Sequence, residues 1–204
     1  MIKTKICGIT NLEDAQLACR LGADALGFIF APSPRQVNSK TVCGITSQIP
    51  PFITRVGVFV NESPELINEI AINCGLDAIQ LHGDESPEYC KLIRHRVVKV
   101  LRIKDRSDLD AIQQYENYVS AFLFDTYSPD QYGGTGNTFN WELLKDFITE
   151  KPFIISGGIT PDNLASLLGS ITPYGVDIGS GVELKPGRKD PDKLKQLFAI
   201  IKWV

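Results

Sequence analysis

Two side chains have the type and setting to move protons. Cys7 lies in Lys5-Ile6-Cys7-Gly8-Ile9-Thr10, where a short apolar run breaks at a glycine and a helix cap, Thr10-Asn11, follows. A thiol near a helix N-terminus titrates low and serves as a thiolate base, so this is the state expected of Cys7. The competing reading is a small buried apolar residue. Asp125 closes the apolar run Ala121-Phe122-Leu123-Phe124. A carboxyl at the end of a buried strand is costly unless it is paired or used, and burial favours the protonated form that a general acid needs. The competing reading is a turn aspartate capping Thr126-Tyr127-Ser128-Pro129. Other strand ends offer Gln80 with His82, and Arg102. Arg35 follows two prolines in Ala31-Pro32-Ser33-Pro34-Arg35, and its planar fork suits a carboxylate. His82 reads equally well as a plain polar contact, and Arg35 as a solvated loop residue.

A second group binds rather than reacts. Ser156-Gly157-Gly158-Ile159-Thr160-Pro161 and Asp177-Ile178-Gly179-Ser180-Gly181-Val182-Glu183 are glycine-rich turns that directly follow apolar runs. Glycine lets the backbone approach an anion, and its N–H donates with no side chain in the way. Thr160 and Pro161 make a helix start, hydroxyl at the N-cap and proline in the first turn. Gly181-Val182-Glu183 is expected to open a short extra helix facing the same anion. Either turn alone simply ends a strand; as a pair they make Gly157, Gly158, Ser180 and Gly181 candidates for holding phosphate. The glycine-rich stretch Asp130–Asn137 reads as a lid over the site or as a plain connector.

The elements that must position these groups follow from the apolar pattern. Strands are expected at Thr4–Gly8, Ala25–Phe30, Arg55–Val60, Ala78–Leu81, Val97–Arg102, Ala121–Asp125, Pro152–Ser156 and Val176–Gly179. Continuous β-branched runs such as Val56-Gly-Val-Phe-Val60 suit strands buried on both faces. Between them, helical spacing marks Leu12–Leu21, Glu65–Cys74, Asp108–Tyr118, Glu142–Thr149 and Pro191–Trp203, with Asn38–Gln48 the weakest helix because of Gly44 and its β-branched residues. Strand–helix alternation implies right-handed parallel β-α-β units. Three similar junctions, Gly22-Ala-Asp24, Gly75-Leu-Asp77 and Gly175-Val-Asp177, suggest a reused β-α joint, or only common turn chemistry. Eight such strands are the number of an α/β chain closed into a parallel (β/α)8 TIM barrel, in which the loops after strands 7 and 8 frequently bind phosphate and strand ends carry the chemistry. An open doubly wound sheet is the rival, but no early G-x-G-x-x-G follows the first strand.

The chain has 204 residues, 43% hydrophobic and 22% charged, which fits one ordinary globular domain over 1–204. A net charge of −3 argues against nucleic acid as partner, and any anion must be met by local positive charge. No apolar run is long enough for a membrane span and no signal-peptide pattern opens the chain, so a cytoplasmic location is expected. Five cysteines with no C-x-x-C spacing argue against a disulfide framework or structural zinc.

The ordered motifs resemble the phosphoribosylanthranilate isomerase family of tryptophan biosynthesis. They are K-I-C-G-I-T at 5–10, G-A-D-A-L-G-F-I-F at 22–30, S-P-R at 33–35, V-G-V-F-V-N at 56–61, Q-L-H-G-D-E at 80–85, F-D-T at 124–126, G-G-T-G at 133–136, S-G-G-I at 156–159, N-L at 163–164 and S-G-V-E at 180–183. The resemblance implies a cofactor-free, metal-free Amadori rearrangement of N-(5-phosphoribosyl)anthranilate, a small-molecule substrate handled by a monomer or homodimer. It makes Cys7 the base and Asp125 the acid, sets Arg35 against the anthranilate carboxylate, and puts Gln80, His82 and Asp177 along the site. Two segments depart from the family pattern: Asn137-Thr138-Phe139-Asn140-Trp141 lacks two usual charges, and Gly179-Ser180-Gly181 replaces Ser-Ser-Gly. Neither removes a proton carrier. Two other readings stand beside this one. One is another phosphosugar barrel enzyme, which needs a metal set built on more than His82 and His95 or a catalytic lysine such as Lys5 or Lys99. The other is a non-catalytic barrel that binds a phosphorylated ligand.

Overall fold

The computed structural model describes residues 2–126, 140–145, 147 and 149–202. The proposed lid Asp130–Asn137, the turn after Thr126 and the departure at Asn137 lie outside these residues.

Eight parallel strands close on themselves in chain order: β1 (Lys3–Cys7), β2 (Ala25–Ile29), β3 (Thr54–Phe59), β4 (Ala78–Leu81), β5 (Arg96–Ile103), β6 (Ala121–Thr126), β7 (Phe153–Ile155) and β8 (Gly175–Ile178). The ring is sealed where β8 pairs with β1, Asp177 lying beside Lys5. Each strand holds an apolar, β-branched or aromatic run with both faces covered, as parallel strands require. Several stop one residue short of the expected end. At Cys7, Ile29, Phe59, Ile155 and Ile178 the chain leaves the ladder and turns into the loops of the C-terminal face.

The outer layer contains α1 (Leu12–Leu21), α2 (Ser39–Thr46), α3 (Pro64–Cys74), the single turn α4 (Pro87–Cys90), α5 (Ile112–Tyr115), α6 (Pro161–Ser170) and α7 (Pro191–Ile201). The weakest expectation does form a helix. Asn38 caps α2 by accepting from the Thr41 N–H at 2.9 Å, which offsets the poor propensity of Gly44. The stretch expected to be helical from Asp108 starts earlier, as a 3₁₀ segment at Arg106–Ala111. The Asp105 carboxylate accepts from the Ser107 N–H at 2.9 Å and Asp108 accepts from the Asp105 N–H at 2.9 Å. Glu142–Thr149 does not form the expected helix. Among its described residues only a 3₁₀ turn at Trp141–Leu144 is present, Lys145 is extended, and the Phe147 ring packs edge-on against Phe124 and Phe153. Burying that ring across the barrel wall outweighs the modest helical propensity of the segment.

The repeated joint holds for two of its three instances. Gly22 and Gly75 both end helices in the left-handed conformation (φ 115° and 60°). The aspartate two residues on then accepts from a backbone N–H of the preceding strand, Asp24 from Thr4 at 2.9 Å and Asp77 from Arg55 at 2.8 Å. Gly175-Val-Asp177 is different. Its glycine is already the first residue of β8, and Asp177 points into the barrel towards Lys5. No helix among the described residues is long and apolar enough to cross a membrane.

Candidate active site

The strand ends and loops of the C-terminal face enclose a cavity of about 640 Å³. Cys7, Arg35, Gln80, His82, Asp125, Gly157, Gly158, Asp177, Ser180 and Gly181 all line it. Arg102 does not join them; it donates to Asp84 at 2.7 Å.

Below the cavity, polar side chains enter the barrel interior. Lys5, Gln80, Lys99 and Asp177 are all buried. The Lys5 ammonium donates to Asp177 Oδ1 at 2.9 Å and to Gln80 Oε1 at 2.8 Å. Lys99 is spent on Glu85 and the Gly83 carbonyl, both at 2.7 Å. Because an ammonium only donates, Lys5 fixes which end of the Gln80 amide is oxygen. The amide nitrogen therefore faces His82 Nδ1 at 3.3 Å and donates to it. His82 then carries its proton on Nε2 and presents it to Asp125 Oδ2 at 3.2 Å. The other Asp125 oxygen accepts from the Thr126 N–H at 2.8 Å. One chain of hydrogen bonds thus runs from the β1–β8 seam to the carboxyl on β6.

Cys7 departs from expectation. Helix α1 begins only at Leu12, and one of its free N–H groups, that of Asp14, is taken up by the Asn11 side chain at 2.9 Å. The thiol instead faces the barrel interior. Burial and the Asp177 carboxylate push it above the ordinary cysteine range, against the pull of the Lys5 and Lys189 ammonium groups. For Lys5 itself burial works against the charge, yet Asp177 and Cys7 hold its pKa above the usual lysine value.

The two glycine turns interlock with each other and with Asp125. Gly157 has φ +88°, and a Cβ there would meet Asp125 Oδ1 at 2.8 Å and collide with Thr126, so only glycine lets this loop cross the carboxyl. Gly181 sits against the Ile159 carbonyl with no room for a side chain. Asn163 anchors the first turn, accepting from the Thr160 N–H and donating to the Gly158 carbonyl, both at 2.9 Å. Thr160 caps α6 and Pro161 starts it, as the residues suggest, so the helix opens beside the cavity. The expected extra helix is a single 3₁₀ turn, Ser180–Val182, because the chain at once extends into a hairpin, β9 (Glu183–Lys185) with β10 (Arg188–Lys189).

Sequence reasoning missed Glu183 and Lys189. The Arg35 guanidinium is gripped by Glu183, Nε at 2.9 and 3.0 Å and Nη2 at 2.7 Å. Lys189, fully buried, reaches beneath Cys7. The S-G-V-E motif contains Glu183 but does not reveal its partner, and nothing local marks Lys189. Among the described residues no three His, Cys, Asp or Glu side chains gather to hold a metal ion.

Fold and site together define a (β/α)8-barrel enzyme that places a thiol and a carboxyl across one cavity. Residues 4–199 match the family model described as N-(5'phosphoribosyl)anthranilate (PRA) isomerase. The chain is 49% identical over 203 residues to the N-(5'-phosphoribosyl)anthranilate isomerase of Pelobacter propionicus, covering 99% of this chain and 96% of that one. It superposes on the crystal structure of phosphoribosyl anthranilate isomerase from Thermotoga maritima with a TM-score of 0.93 at 39% identity, each chain covered in full at 100%. A second solved isomerase, in complex with reduced 1-(o-carboxyphenylamino)-1-deoxyribulose 5-phosphate, gives a TM-score of 0.88 at 38% identity, again with 100% of both chains covered. The chain belongs to the N-(5'-phosphoribosyl)anthranilate isomerase family, and with it to the isomerases of tryptophan biosynthesis.

Proposed function

We propose that this chain, acting as a single cytoplasmic domain, converts N-(5-phosphoribosyl)anthranilate to 1-(2-carboxyphenylamino)-1-deoxy-D-ribulose 5-phosphate, with Cys7 as general base and Asp125 as general acid. The observation that carries this reading is the shared cavity. A thiol from β1 and a carboxyl from β6 face one space, which Arg35 and the paired glycine turns also line. A ligand that carries both a carboxylate and a phosphate finds a guanidinium and glycine N–H groups along that one space.

Asp125, as the acid, gives a proton to the furanose ring oxygen; the C1′–O bond breaks and a Schiff base forms. The carboxylate left behind is stabilised by the N–H donors of His82 and Thr126. Cys7 as thiolate then takes the C2′ proton, and the resulting enolamine tautomerises to the ketone. Two groups of different type suit this order, since one must give a proton and the other must take one. Lys5 and Lys189 favour the thiolate that burial disfavours. Arg35 meets the anthranilate carboxylate, and Gly157, Gly158, Ser180 and Gly181 surround the phosphate beside the α6 N-terminus. Gln80 and Asp177 orient His82 and Lys5. The lysine-dependent alternative is disfavoured because Lys5 and Lys99 are both committed to buried carboxylates.

The test is a fluorescence assay of phosphoribosylanthranilate consumption by purified protein with no added metal or cofactor. Steady consumption is the expected result. Binding of the substrate without turnover favours the non-catalytic barrel.

A further inference from the structure

Beyond the groups that face the substrate, we propose that Glu183 and Lys189 are positioning residues that hold the Arg35 guanidinium, the Cys7 strand end and the Gly179 turn in one fixed arrangement. The proposal rests on the roles given above to Cys7 and Arg35.

Glu183 and Lys189 face each other across the β9–β10 hairpin that follows β8. The Glu183 carboxylate receives the Arg35 fork on one side, and on the other the Lys189 ammonium at 3.0 Å and the Gly187 N–H at 3.4 Å. Lys189 has three N–H bonds and three acceptors. It donates to the Cys7 carbonyl at 2.6 Å, the Gly179 carbonyl at 2.9 Å and Glu183 Oε1 at 3.0 Å. Its backbone N–H is tied as well, to Asp14 Oδ2 at 2.8 Å. Neither side chain reaches the cavity lining, yet their bonds to Arg35, the Cys7 carbonyl and the Gly179 carbonyl all end on residues that do. The loop after β2, the end of β1 and the start of the loop after β8 are thereby joined through one ion pair.

Stability alone is a poor reason to bury these two charges. A well-packed apolar pair of similar volume generally serves at least as well. What the ion pair supplies is direction. An arginine on a long loop keeps many rotamers, whereas one gripped by a buried carboxylate presents its remaining N–H face at one angle. The ammonium beneath the Cys7 carbonyl fixes that strand end, and its charge favours the thiolate.

The test is a thermodynamic cycle on Arg35→Ala, Glu183→Gln and the double variant. Binding of reduced 1-(o-carboxyphenylamino)-1-deoxyribulose 5-phosphate is measured by calorimetry, and kcat beside it. Glu183→Gln is expected to weaken binding about tenfold in the wild-type background and less than about twofold once Arg35 is gone. Equal losses in both backgrounds, or no loss, overturn the coupling. Lys189→Met is expected to lower kcat about a hundredfold by displacing Cys7, and to move the rising limb of the pH–rate profile up by about one unit. An unmoved limb with near-normal kcat overturns its part. Glu183→Gln/Lys189→Met removes both charges of the pair and leaves the Arg35 cation beside the cavity, so it provides a second variant to read if either single variant is unstable; tight binding and full kcat in that double variant overturn the whole proposal. A wild type that binds the analogue but does not turn over substrate defeats the proposed reaction, while the binding cycle still decides the coupling. A wild type that does not bind the analogue defeats both.

Discussion

Replacing Gly27 by alanine is expected to remove most activity from a residue that never meets the substrate. Gly27 is the middle residue of β2 and pairs with Cys7 on one side and Val56 on the other, so its backbone is held from both neighbours. A Cβ built there lies 2.7 Å from Cys7 Sγ, 2.9 Å from Lys5 Cε and 3.0 Å from Lys5 Nζ. A relaxed contact needs about 3.7 Å, so the thiol must retreat by roughly 1 Å or the strand must bulge. Lys5 cannot yield easily, because its ammonium is bound to Gln80 and Asp177. A displacement of that size at a reacting atom costs about a hundredfold in rate, and overpacking costs about 1–3 kcal/mol of stability. At about 2–4 °C per kcal/mol for a chain of this size, the melting temperature falls but the protein stays folded at 25 °C. The assay pairs kcat from substrate fluorescence with a thermal melt. A Gly27→Ala enzyme with kcat within about threefold of wild type would refute the claim that the thiol is set by this close contact.

Cys7→Ala and Asp125→Asn are each expected to lower kcat by about 10²–10⁴-fold while the circular dichroism spectrum and melt stay close to wild type; near-normal turnover in either removes that residue from the mechanism. Arg35→Ala is expected chiefly to raise KM, and a fall in kcat with KM unchanged contradicts the carboxylate clamp. Because the folded-state thiol of Cys7 titrates above the ordinary value, its thiolate fraction in the free enzyme is small at neutral pH, and kcat/KM should climb from pH 7 to 9 by close to tenfold per unit; a flat profile argues against a thiolate base. By the same sign, the neutral thiol adds stability below the cysteine pKa of the unfolded chain, and this is lost as pH rises through the folded value. Gly44→Ala on α2 is the control: a Cβ there meets nothing within 4 Å, so stability should rise by about 0.5–1 kcal/mol with activity unchanged, and a loss of either refutes the packing picture.

The strands were legible because each is a short apolar run, and burial on both faces leaves no other use for such runs. The placement of several candidate residues was legible for a related reason: once eight strands are counted, the ends of the runs gather at the C-terminal mouth, where Cys7, His82 and Asp125 line the cavity while Arg102 turns to Asp84. The failures come from contacts that no local pattern encodes. Asp177 looks like the turn aspartates 24 and 77, but its shifted register turns it into the barrel. Cys7 looks like a helix-start thiol, yet its surroundings are set by Lys5, Asp177 and Gly27. Glu183 and Lys189 meet partners up to 182 positions away in the chain. Glu142–Thr149 carries a helical pattern, but Phe147 gains more by packing on Phe124 and Phe153 than a helix would provide.

The β1–β8 seam has a consequence for how such an enzyme is made. Lys5 and Asp177 are separated by 172 positions, and Cys7 and Lys189 by 182. During vectorial synthesis the N-terminal strand waits, with its lysine and thiol, until nearly all the rest of the barrel has left the ribosome. Contacts of such long separation form late, after the local β-α units. The completed cavity is therefore among the last properties the nascent chain acquires: a barrel stalled before Lys189 lacks the contact that holds the Cys7 strand end.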